Sequence, residues 1–269
     1  MSLYTVIGAT GFIGARVRRK LEGEGAPVYA PAKGDPEIFA RDLGRVFYCA
    51  GLTGDYREKP FEAVEAHVGY LARVLEKARF ERLVYLSSTR LYDSLGGGQG
   101  REAQPLPLDP NDPRHVYELS KALGENLTLT QSGGRGCAAR VAYVFDWEAG
   151  AAGFLSDWLA QARTRRAIRL DSSPSFARDY IHVDDVAAGL KAMLDAGGAG
   201  LVNVASGRVR SNLDIAGVFE RRGWRVDFAR PPEPQASAVC DVARLAALGV
   251  RPRDPLELID GYLAGLGSV

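Results

Sequence analysis

The first half of the chain alternates short apolar runs with amphipathic stretches of helical length. The runs are LYTVIG, PVYAP, RVFYCAG and RLVYLSS, and the stretches between them are Phe12 to Glu22, Glu37 to Leu43 and Phe61 to Arg79. Alternation of this kind predicts crossover units and a parallel sheet. VFYCA and LVYLS are apolar without a period of two, as expected of central strands that helices cover on both faces. The pattern therefore predicts an α/β fold with a doubly wound parallel sheet.

The second half continues the pattern less regularly. CAARVAYVF and LVNVAS predict further strands, and Val116 to Leu129 and Val183 to Leu194 predict further helices. The Pro-rich string RPPEPQ, from Arg230 to Gln235, separates the strand-like WRVDFA from a final helical stretch. We therefore expect the last third of the chain to form a small lobe.

Composition narrows the classes of partner. The chain has 34 basic and 33 acidic residues and a net charge of +1, so no overall field attracts nucleic acid or an anionic membrane. We interpret Arg163 to Arg169 as a solvated helix face. The scattered cysteines, Cys49, Cys137 and Cys240, have neither disulfide nor metal-ligand spacing. With no export signal and no long apolar run, we expect a cytoplasmic protein without a metal.

A glycine-rich string, GATGFIG, follows the first predicted strand and opens the first predicted helix. In this context Gly8 permits a tight turn, Gly11 lets the backbone approach a pyrophosphate, and Gly14 lets the helix pack close to the strand. The free N–H groups at the start of the helix, at Phe12 and Ile13, then receive negative charge. The string predicts a Rossmann-type site for NAD or NADP.

Several strings together give the chain a resemblance to a known superfamily. GATGFIG is followed by CAG at Cys49 to Gly51, SSTRLYD at Ser87, YELSK at Tyr117, RVAYVFD at Arg140 and RDYIHVDDVA at Arg178. In this order they resemble the extended short-chain dehydrogenase/reductase superfamily, the nucleotide-sugar epimerases and reductases. The resemblance runs nearly end to end. It implies a Rossmann domain over 1–146, to which about 175–206 return, and a small substrate-binding lobe from 147–174 and 207–269.

The resemblance implies that Ser88, Tyr117 and Lys121 are catalytic. A free tyrosine, with a pKa of about 10, is too weak an acid at neutral pH unless a cation favours its phenolate. Lys121 stands four residues after Tyr117, and on a helix positions four apart share a face. The lysine can therefore favour the phenolate and also hold the ribose of the nicotinamide. Ser88 would donate a hydrogen bond to the substrate oxygen.

Other residues receive binding roles from the same resemblance. Contacts to the cofactor are implied for the glycine loop and for residues farther along the chain: Gly8, Gly11, Phe12, Ile13, Gly14, Cys49, Ala50, Gly51, Ser87, Tyr117, Lys121 and Tyr143. Contacts to the substrate are implied for Thr89, Tyr92, Arg178 and Arg230, the last on a diphosphate. A homodimer is compatible with the resemblance.

The adenosine end leaves the choice of cofactor open. Ala30 and Pro31 stand where an NAD enzyme usually presents an acid to the ribose hydroxyls. Lys33 could pair with a 2′-phosphate and Asp35 with the ribose, or either could be loop surface. Only about fifteen residues separate this strand from RVFYCAG, so the customary third strand hardly fits. We expect an abbreviated edge of the sheet.

Three classes of function compete. Dehydratases of this scaffold carry an Asp-Glu pair directly after the catalytic Ser or Thr, and this chain has Thr89 and Arg90 there. Chemistry at one carbinol or keto carbon of a nucleotide sugar remains, either epimerisation or reduction. The trimmed C-terminal region favours a smaller carbonyl substrate as an alternative. A sensor that binds NAD(P) without catalysis is the third class, but both Tyr117 and Lys121 are present.

Overall fold

A computed structural model of the chain describes residues 2–198 and 200–266. The strands are β1 (Tyr4–Ile7), β2 (Val28–Tyr29), β3 (Arg45–Tyr48), β4 (Arg82–Ser88), β5 (Gln99–Gly100), β6 (Gly136–Val141), β7 (Tyr143–Phe145), β8 (Ala167–Leu170), β9 (Ala177–His182), β10 (Leu201–Val204), β11 (Val209–Ser211), β12 (Arg225–Phe228) and β13 (Val239–Cys240). The α-helices are α1 (Phe12–Gly23), α2 (Glu37–Ala40), α3 (Pro60–Val64), α4 (Tyr70–Lys77), α5 (Val116–Gln131), α6 (Phe154–Ala162), α7 (Val183–Ala196), α8 (Asn212–Arg221), α9 (Ala243–Ala247) and α10 (Pro255–Leu266).

The central sheet has six parallel strands in the order β2-β1-β3-β4-β6-β10. The chain leaves β1 towards β2 and then crosses back to β3, so the winding direction reverses between β1 and β3. In open α/β sheets the carboxyl ends of the strands at such a switch point form the ligand crevice. The predicted Rossmann-type α/β fold is therefore confirmed, and the loops after β1 and β3 lie at the expected crevice.

The edge of this sheet is abbreviated, as the sequence predicts. β2 has two residues and, within the described part of the chain, pairs with β1 alone. The single-turn helix α2 and its flanking loops connect β2 directly to β3. The connection is too short for an extra strand with its own crossover helix.

Packing on the sheet follows the helical period. In α1, Val17 and Leu21 stand four residues apart, and both are buried against the sheet core with Val6 and Phe47. Gly25, with φ of +72°, follows the C-terminal end of α1, where its left-handed conformation stops the helix. These contacts fix the start of α1, and with it the glycine loop, over the ends of β1 and β3.

The helix predicted from Phe61 to Arg79 is wider at its middle than expected. Glu65–Gly69 forms a π-helical segment between α3 and α4. A π segment inserts one residue into the helical repeat and changes which side chains face inward. Here it turns His67 into the interior, where the ring is fully buried.

A second core lies outside the central sheet. CAARVAYVF, expected as one strand, divides at Ala142: β6 belongs to the central sheet, and β7 pairs with β9 in a separate sheet that ends in β11. Around this sheet and the β8–β12 pair, buried Trp158, Phe219 and Ile259 pack together. The interpretation of Arg163 to Arg169 as a helix face is wrong, because α6 ends at Ala162 and β8 begins at Ala167.

Within residues 2–198 and 200–266, no helix combines the length and the apolar character needed to cross a bilayer.

Candidate active site

The glycine loop is shaped by close contacts at two of its three glycines. Gly8 has φ of +85°, and a Cβ there would lie 2.8 Å from the backbone nitrogen of Ala50 in the loop after β3. A Cβ on Gly14 would lie 2.2 Å from the carbonyl oxygen of Gly8. Both positions therefore exclude a side chain, because the backbone already fills the space. The loops after β1 and β3 touch at this point.

Gly11 differs from Gly8 and Gly14 in the space around it. Of the residues that the structure describes, a Cβ there would meet only Gly8, whose carbonyl oxygen would lie 3.4 Å away, so these residues leave the space open. Gly11 is the N-cap of α1, no side chain caps the helix, and its first turn has no acidic residue. The free N–H groups of Phe12 and Ile13 and the positive end of the helix dipole remain available for an anion. These residues fit the pyrophosphate of a dinucleotide.

Tyr117 and Lys121 lie on one face of α5, four residues apart, and both side chains are buried. Lys121 Nζ donates to the carbonyl oxygen of Leu86 in β4, at 2.8 Å, and lies 5.9 Å from the ring centroid of Tyr117. Burial lowers the pKa of Lys121 to about 7, although Glu125 acts in the opposite direction. A Cβ on Gly51 would stand 3.3 Å from Nζ, so the loop after β3 reaches the lysine.

The phenol of Tyr117 is surrounded by groups that act on its acidity in opposite directions. Burial raises its pKa, whereas hydrogen bonding with Ser88 and Thr53 and the charge of Arg90 lower it. Ser88 ends β4, and Thr53 lies in the loop after β3, so two strand ends meet at this hydroxyl. The arrangement brings together the three residues predicted to be catalytic and can transfer a proton to or from a bound oxygen.

His67 is a part of this site that the sequence did not identify. Its ring lies edge-on to that of Tyr117, with centroids 5.3 Å apart. Nε2 accepts the backbone N–H of Leu52 at 3.2 Å, and Nδ1 lies 2.8 Å from Ser120 Oγ, which donates to the carbonyl of Tyr117. Burial, followed by the charge of Lys121, lowers the pKa of His67 to about 2. A neutral ring therefore ties the loop after β3 to the first turn of α5.

Arg90 is the second residue of the site whose place was not predicted. The sequence showed only that Arg90 follows Thr89, at a position where dehydratases of this scaffold carry an acidic residue. In the structure its guanidinium carbon lies 4.5 Å from the ring centroid of Tyr117 and 4.9 Å from that of Tyr56. Tyr56, also unpredicted, comes from the loop after β3 and is almost completely buried.

A buried polar network lies under the end of β4. Ser87 Oγ donates to Glu125 at 2.5 Å, and Arg140 binds both oxygens of the same carboxylate at 2.9 and 2.8 Å. Arg140 also donates to Tyr92 Oη, which in turn donates to Asn203. The hydroxyls of Ser87 and Tyr92, predicted to contact cofactor and substrate, are therefore engaged with protein groups in this structure.

Four predicted residues line one small cavity beside the end of β4: Thr89, Tyr92, Tyr143 and Arg178. The guanidinium of Arg178 packs over the rings of Phe176 and Tyr143, with centroid distances of 4.3 and 5.1 Å. Arg178 Nε is buried without a hydrogen-bond partner in the described part of the chain. Arg230 is not in this cavity; it lies on the surface in a two-pronged ion pair with Asp171.

Lys33 and Asp35, the residues considered for the adenosine end, differ in whether their polar atoms already have partners. Both oxygens of Asp35 already accept hydrogen bonds, one from Tyr29 Oη at 2.8 Å and one from the N–H of Glu37 at 3.0 Å. Arg41 stacks over the Tyr29 ring at 4.2 Å. Lys33 is exposed and has no acidic partner among the described residues. Of the two, Lys33 is the residue that is free to meet a ligand.

The switch-point crevice, with its glycine loop, uncapped helix and paired tyrosine and lysine, places the chain among the Rossmann-type dinucleotide-binding proteins. Comparison with known proteins specifies the group. The model of the NAD dependent epimerase/dehydratase family matches residues 4–205, and the chain belongs to this family.

Two curated relatives come from Streptomyces. A dTDP-4-dehydro-6-deoxy-D-allose reductase from a Streptomyces species is 24% identical, over 90% of this chain and 88% of the relative. A dTDP-glucose 4,6-dehydratase from Streptomyces griseus is 26% identical, over 80% of this chain and 76% of the relative. The two relatives catalyse different reactions, so the family alone does not specify the chemistry.

Solved structures share the fold over nearly the whole chain. MoeE5 in complex with UDP-glucuronic acid and NAD has a TM-score of 0.76 at 23% identity, covering 97% of this chain and 96% of that one. A UDP-glucose 4-epimerase with UDP-glucose from Thermotoga maritima has a TM-score of 0.77 at 17% identity, covering 98% and 97%. At these identities the likeness concerns the fold.

Proposed function

We propose that the chain is an NAD(P)-dependent oxidoreductase or epimerase that acts at one carbinol or keto carbon of a nucleotide sugar. The observation that carries the proposal is the meeting of Ser88, Tyr117 and Lys121 beside the loop that follows β3. A nicotinamide dinucleotide would supply hydride transfer. Thr89 and Arg90, in place of an Asp-Glu pair, argue against dehydration, because eliminating water requires an additional acid and base.

The residues would share this chemistry as follows. The hydroxyl of Tyr117 gives a proton to the substrate oxygen during reduction and takes it back during oxidation. Ser88 donates a hydrogen bond to the same oxygen and holds it against the phenol. Among the described residues the carbonyl of Leu86 is the one acceptor of the Lys121 ammonium, which therefore has donors left for the ribose of the nicotinamide. The neutral ring of His67 keeps the loop after β3 in place.

The binding roles of the other predicted residues remain part of the proposal. Gly11, Phe12 and Ile13 would hold the pyrophosphate, and the turn from Cys49 to Gly51 would lie along the dinucleotide. Thr89, Tyr92 and Arg178 would contact the substrate from the cavity that they line, Tyr143 at the same cavity would contact the cofactor, and Arg230 would approach the substrate diphosphate from the surface. The domain division proposed from the sequence, 1–146 with 175–206 against 147–174 with 207–269, assigns most of the second core to the substrate side, but leaves β7 and β9 of its sheet on the dinucleotide side.

A homodimer is part of the same proposal. Phe61 in α3 is 88% exposed, and Leu123 in the neighbouring α5 is 48% exposed. Apolar side chains on two adjacent helices suit a contact with a second copy. Replacing Phe61 with Asp should convert a dimer to a monomer in light scattering; an unchanged mass above that of one chain would move the interface elsewhere.

The experiment that tests the function combines a substrate panel with one variant. The protein is incubated with NAD, NADH, NADP or NADPH and with a series of nucleotide sugars and their 4-keto forms, and the redox state of the dinucleotide and the sugar products are measured. An epimerase leaves the dinucleotide unchanged overall, whereas a reductase consumes it. Tyr117→Phe should keep dinucleotide affinity and lose most turnover, because it removes only the transferable proton. Undiminished turnover in this variant would contradict the assignment.

A further inference from the structure

Arg90 lies against the ring of the proposed acid/base. Its guanidinium carbon is 4.5 Å from the ring centroid of Tyr117, which is within the range of a cation–π contact. The side chain is only 18% exposed. Nη2 donates to Tyr56 Oη at 2.9 Å, and the Tyr56 ring also lies under the guanidinium. The charge is therefore held at one place beside the phenol.

Glu118 is the counter-ion that holds Arg90 from the other side. Its Oε1 accepts from Arg90 Nη2 at 3.3 Å, and its side chain is 3% exposed. Oε2 is buried and has no hydrogen-bond partner in the described part of the chain. A buried carboxylate with a single cationic partner depends on that partner, because an unpaired buried charge is costly. Since Glu118 directly follows Tyr117 in α5, the pair stays next to the phenol.

The two cations near Tyr117 differ in distance and in permanence. Lys121 Nζ lies 5.9 Å from the ring centroid, farther than Arg90. Burial lowers the pKa of Lys121 to about 7, whereas the charge of Glu125 acts in the opposite direction. A guanidinium keeps its charge at every pH at which a protein folds. Arg90 therefore adds a nearer and permanent positive charge to that of Lys121.

We propose that Arg90 is a positioning residue for the acid/base step, whose permanent charge favours the phenolate of Tyr117, and that Glu118 moderates this charge and holds it in place. The proposal rests on the proposed role of Tyr117. In the oxidative direction the phenolate takes the proton of the substrate hydroxyl as the hydride leaves for the dinucleotide; in reduction the phenol returns it. Arg90 exchanges no proton in either direction.

Several other groups lie around the phenol of Tyr117 and also influence its pKa. They are Thr53 and Tyr56 after β3, His67 from the π-helical segment, Tyr85 and Ser88 from β4, and Lys121 from α5, whereas α3 contributes the apolar Ala63. The ring of His67 stays neutral, since burial lowers its pKa to about 2. Among these groups only Lys121 can add positive charge, and Arg90 and Glu118 are the fixed pair of opposite charges.

The test titrates Tyr117 directly and needs no substrate. Tyrosine labelled at the ring carbon that bears the hydroxyl is incorporated, the Tyr117 resonance is identified by its loss in Tyr117→Phe, and its ionisation is followed by NMR in the protein without cofactor. Arg90→Gln should move the midpoint upward by about one pH unit, as expected for a cation at this distance whose charge is partly compensated. Glu118→Gln should move it downward, since it removes only the negative member of the pair.

Two further variants separate charge from packing. Arg90→Lys should return the midpoint most of the way towards that of the parent. Arg57, whose Nε also donates to Tyr56 Oη, at 3.1 Å, provides the matched control, and Arg57→Gln should leave the midpoint unchanged. Shifts in the same direction for Arg90→Gln and Glu118→Gln, or no shift for Arg90→Gln, would overturn the proposal.

Kinetics distinguish this inference from the proposed function. With an active substrate, the midpoint of the pH–rate profile for oxidation should follow the NMR midpoint, upward in Arg90→Gln and downward in Glu118→Gln. If Tyr117→Phe abolishes turnover but the Arg90 and Glu118 variants leave both midpoints unchanged, only the role of Arg90 fails. If Tyr117→Phe keeps its turnover, the proposed function fails, whatever the titration shows.

Discussion

Replacing Gly11 with alanine should separate dinucleotide binding from folding. Its φ of −77° is open to any residue, and the new Cβ would meet only the Gly8 oxygen, at 3.4 Å. Alanine is a poorer N-cap than glycine, so we expect a loss of less than about 1 kcal/mol in the free energy of unfolding. For a chain of this size that corresponds to a Tm lower by less than about 4 °C.

Binding should respond far more strongly. The added methyl group stands over the free N–H groups at the start of α1, and a charge-assisted hydrogen bond to a phosphate contributes about 1.5–3 kcal/mol. We therefore expect dinucleotide affinity, measured by calorimetry, to fall by about tenfold to a hundredfold. Gly14→Ala should behave in the opposite way: its Cβ would stand 2.2 Å from the Gly8 oxygen, so the main loss should be in Tm.

Gly23→Ala is the matched control for both variants. It lies in the same helix, and its Cβ would meet nothing within 4 Å. It should leave affinity unchanged and raise the Tm slightly, because alanine favours a helix. Full affinity in a folded Gly11→Ala protein would refute the assignment of the loop to the pyrophosphate.

Three further predictions follow from single contacts. If Lys33 binds a 2′-phosphate, Lys33→Ala should lower the affinity for NADPH by about tenfold and leave the affinity for NADH almost unchanged. Equal losses of affinity for the two dinucleotides in calorimetry would contradict this. The pKa of His67 falls from 6.5 in the unfolded chain to about 2 in the folded protein. Its contribution to the free energy of unfolding is therefore fully present above pH 6.5 and is lost as the pH falls, by about 2 kcal/mol at pH 5. In urea unfolding, the free energy of unfolding should fall less between neutral pH and pH 5 in His67→Gln than in the parent protein. An equal fall in both proteins would exclude the effect. Glu125→Gln should cost about 3 kcal/mol or more, because Arg140 stays buried without its partner, whereas the exposed Glu65→Gln should cost less than about 1 kcal/mol; similar values in urea unfolding would contradict the difference.

The sequence predicted those features that depend on local pattern. Alternation of apolar runs and helices predicted the parallel sheet, and the short interval before RVFYCAG predicted its abbreviated edge; both predictions are confirmed. The division of CAARVAYVF at Ala142 was not predicted, because both halves have the residues of a buried strand and only their partners differ. Periodicity reports burial, not the sheet to which a strand belongs.

The site was predictable only where a residue has a motif around it. Tyr117 and Lys121 have the spacing of a helix face, which the sequence displays directly. His67 enters the site through the extra residue of the π-helical segment, and no periodic pattern signals such an insertion. Arg90 reaches the site through contacts with Tyr56 and Tyr117, which lie 34 and 27 positions away along the chain. Contacts of this kind are a product of the tertiary fold.

The two-residue edge strand β2 has a kinetic consequence. A dinucleotide bound with its adenosine end beside so short a rim would meet few protein atoms there, and among related complexes such differences act mainly on the rate of dissociation. A short residence time suits an enzyme that must exchange spent for fresh dinucleotide at every turnover. A long residence time suits an epimerase that oxidises and then reduces the same substrate, because this enzyme returns its dinucleotide to the starting state without releasing it. The residence time of the dinucleotide, measured by stopped-flow displacement, therefore bears on the choice between reductase and epimerase within the proposed function.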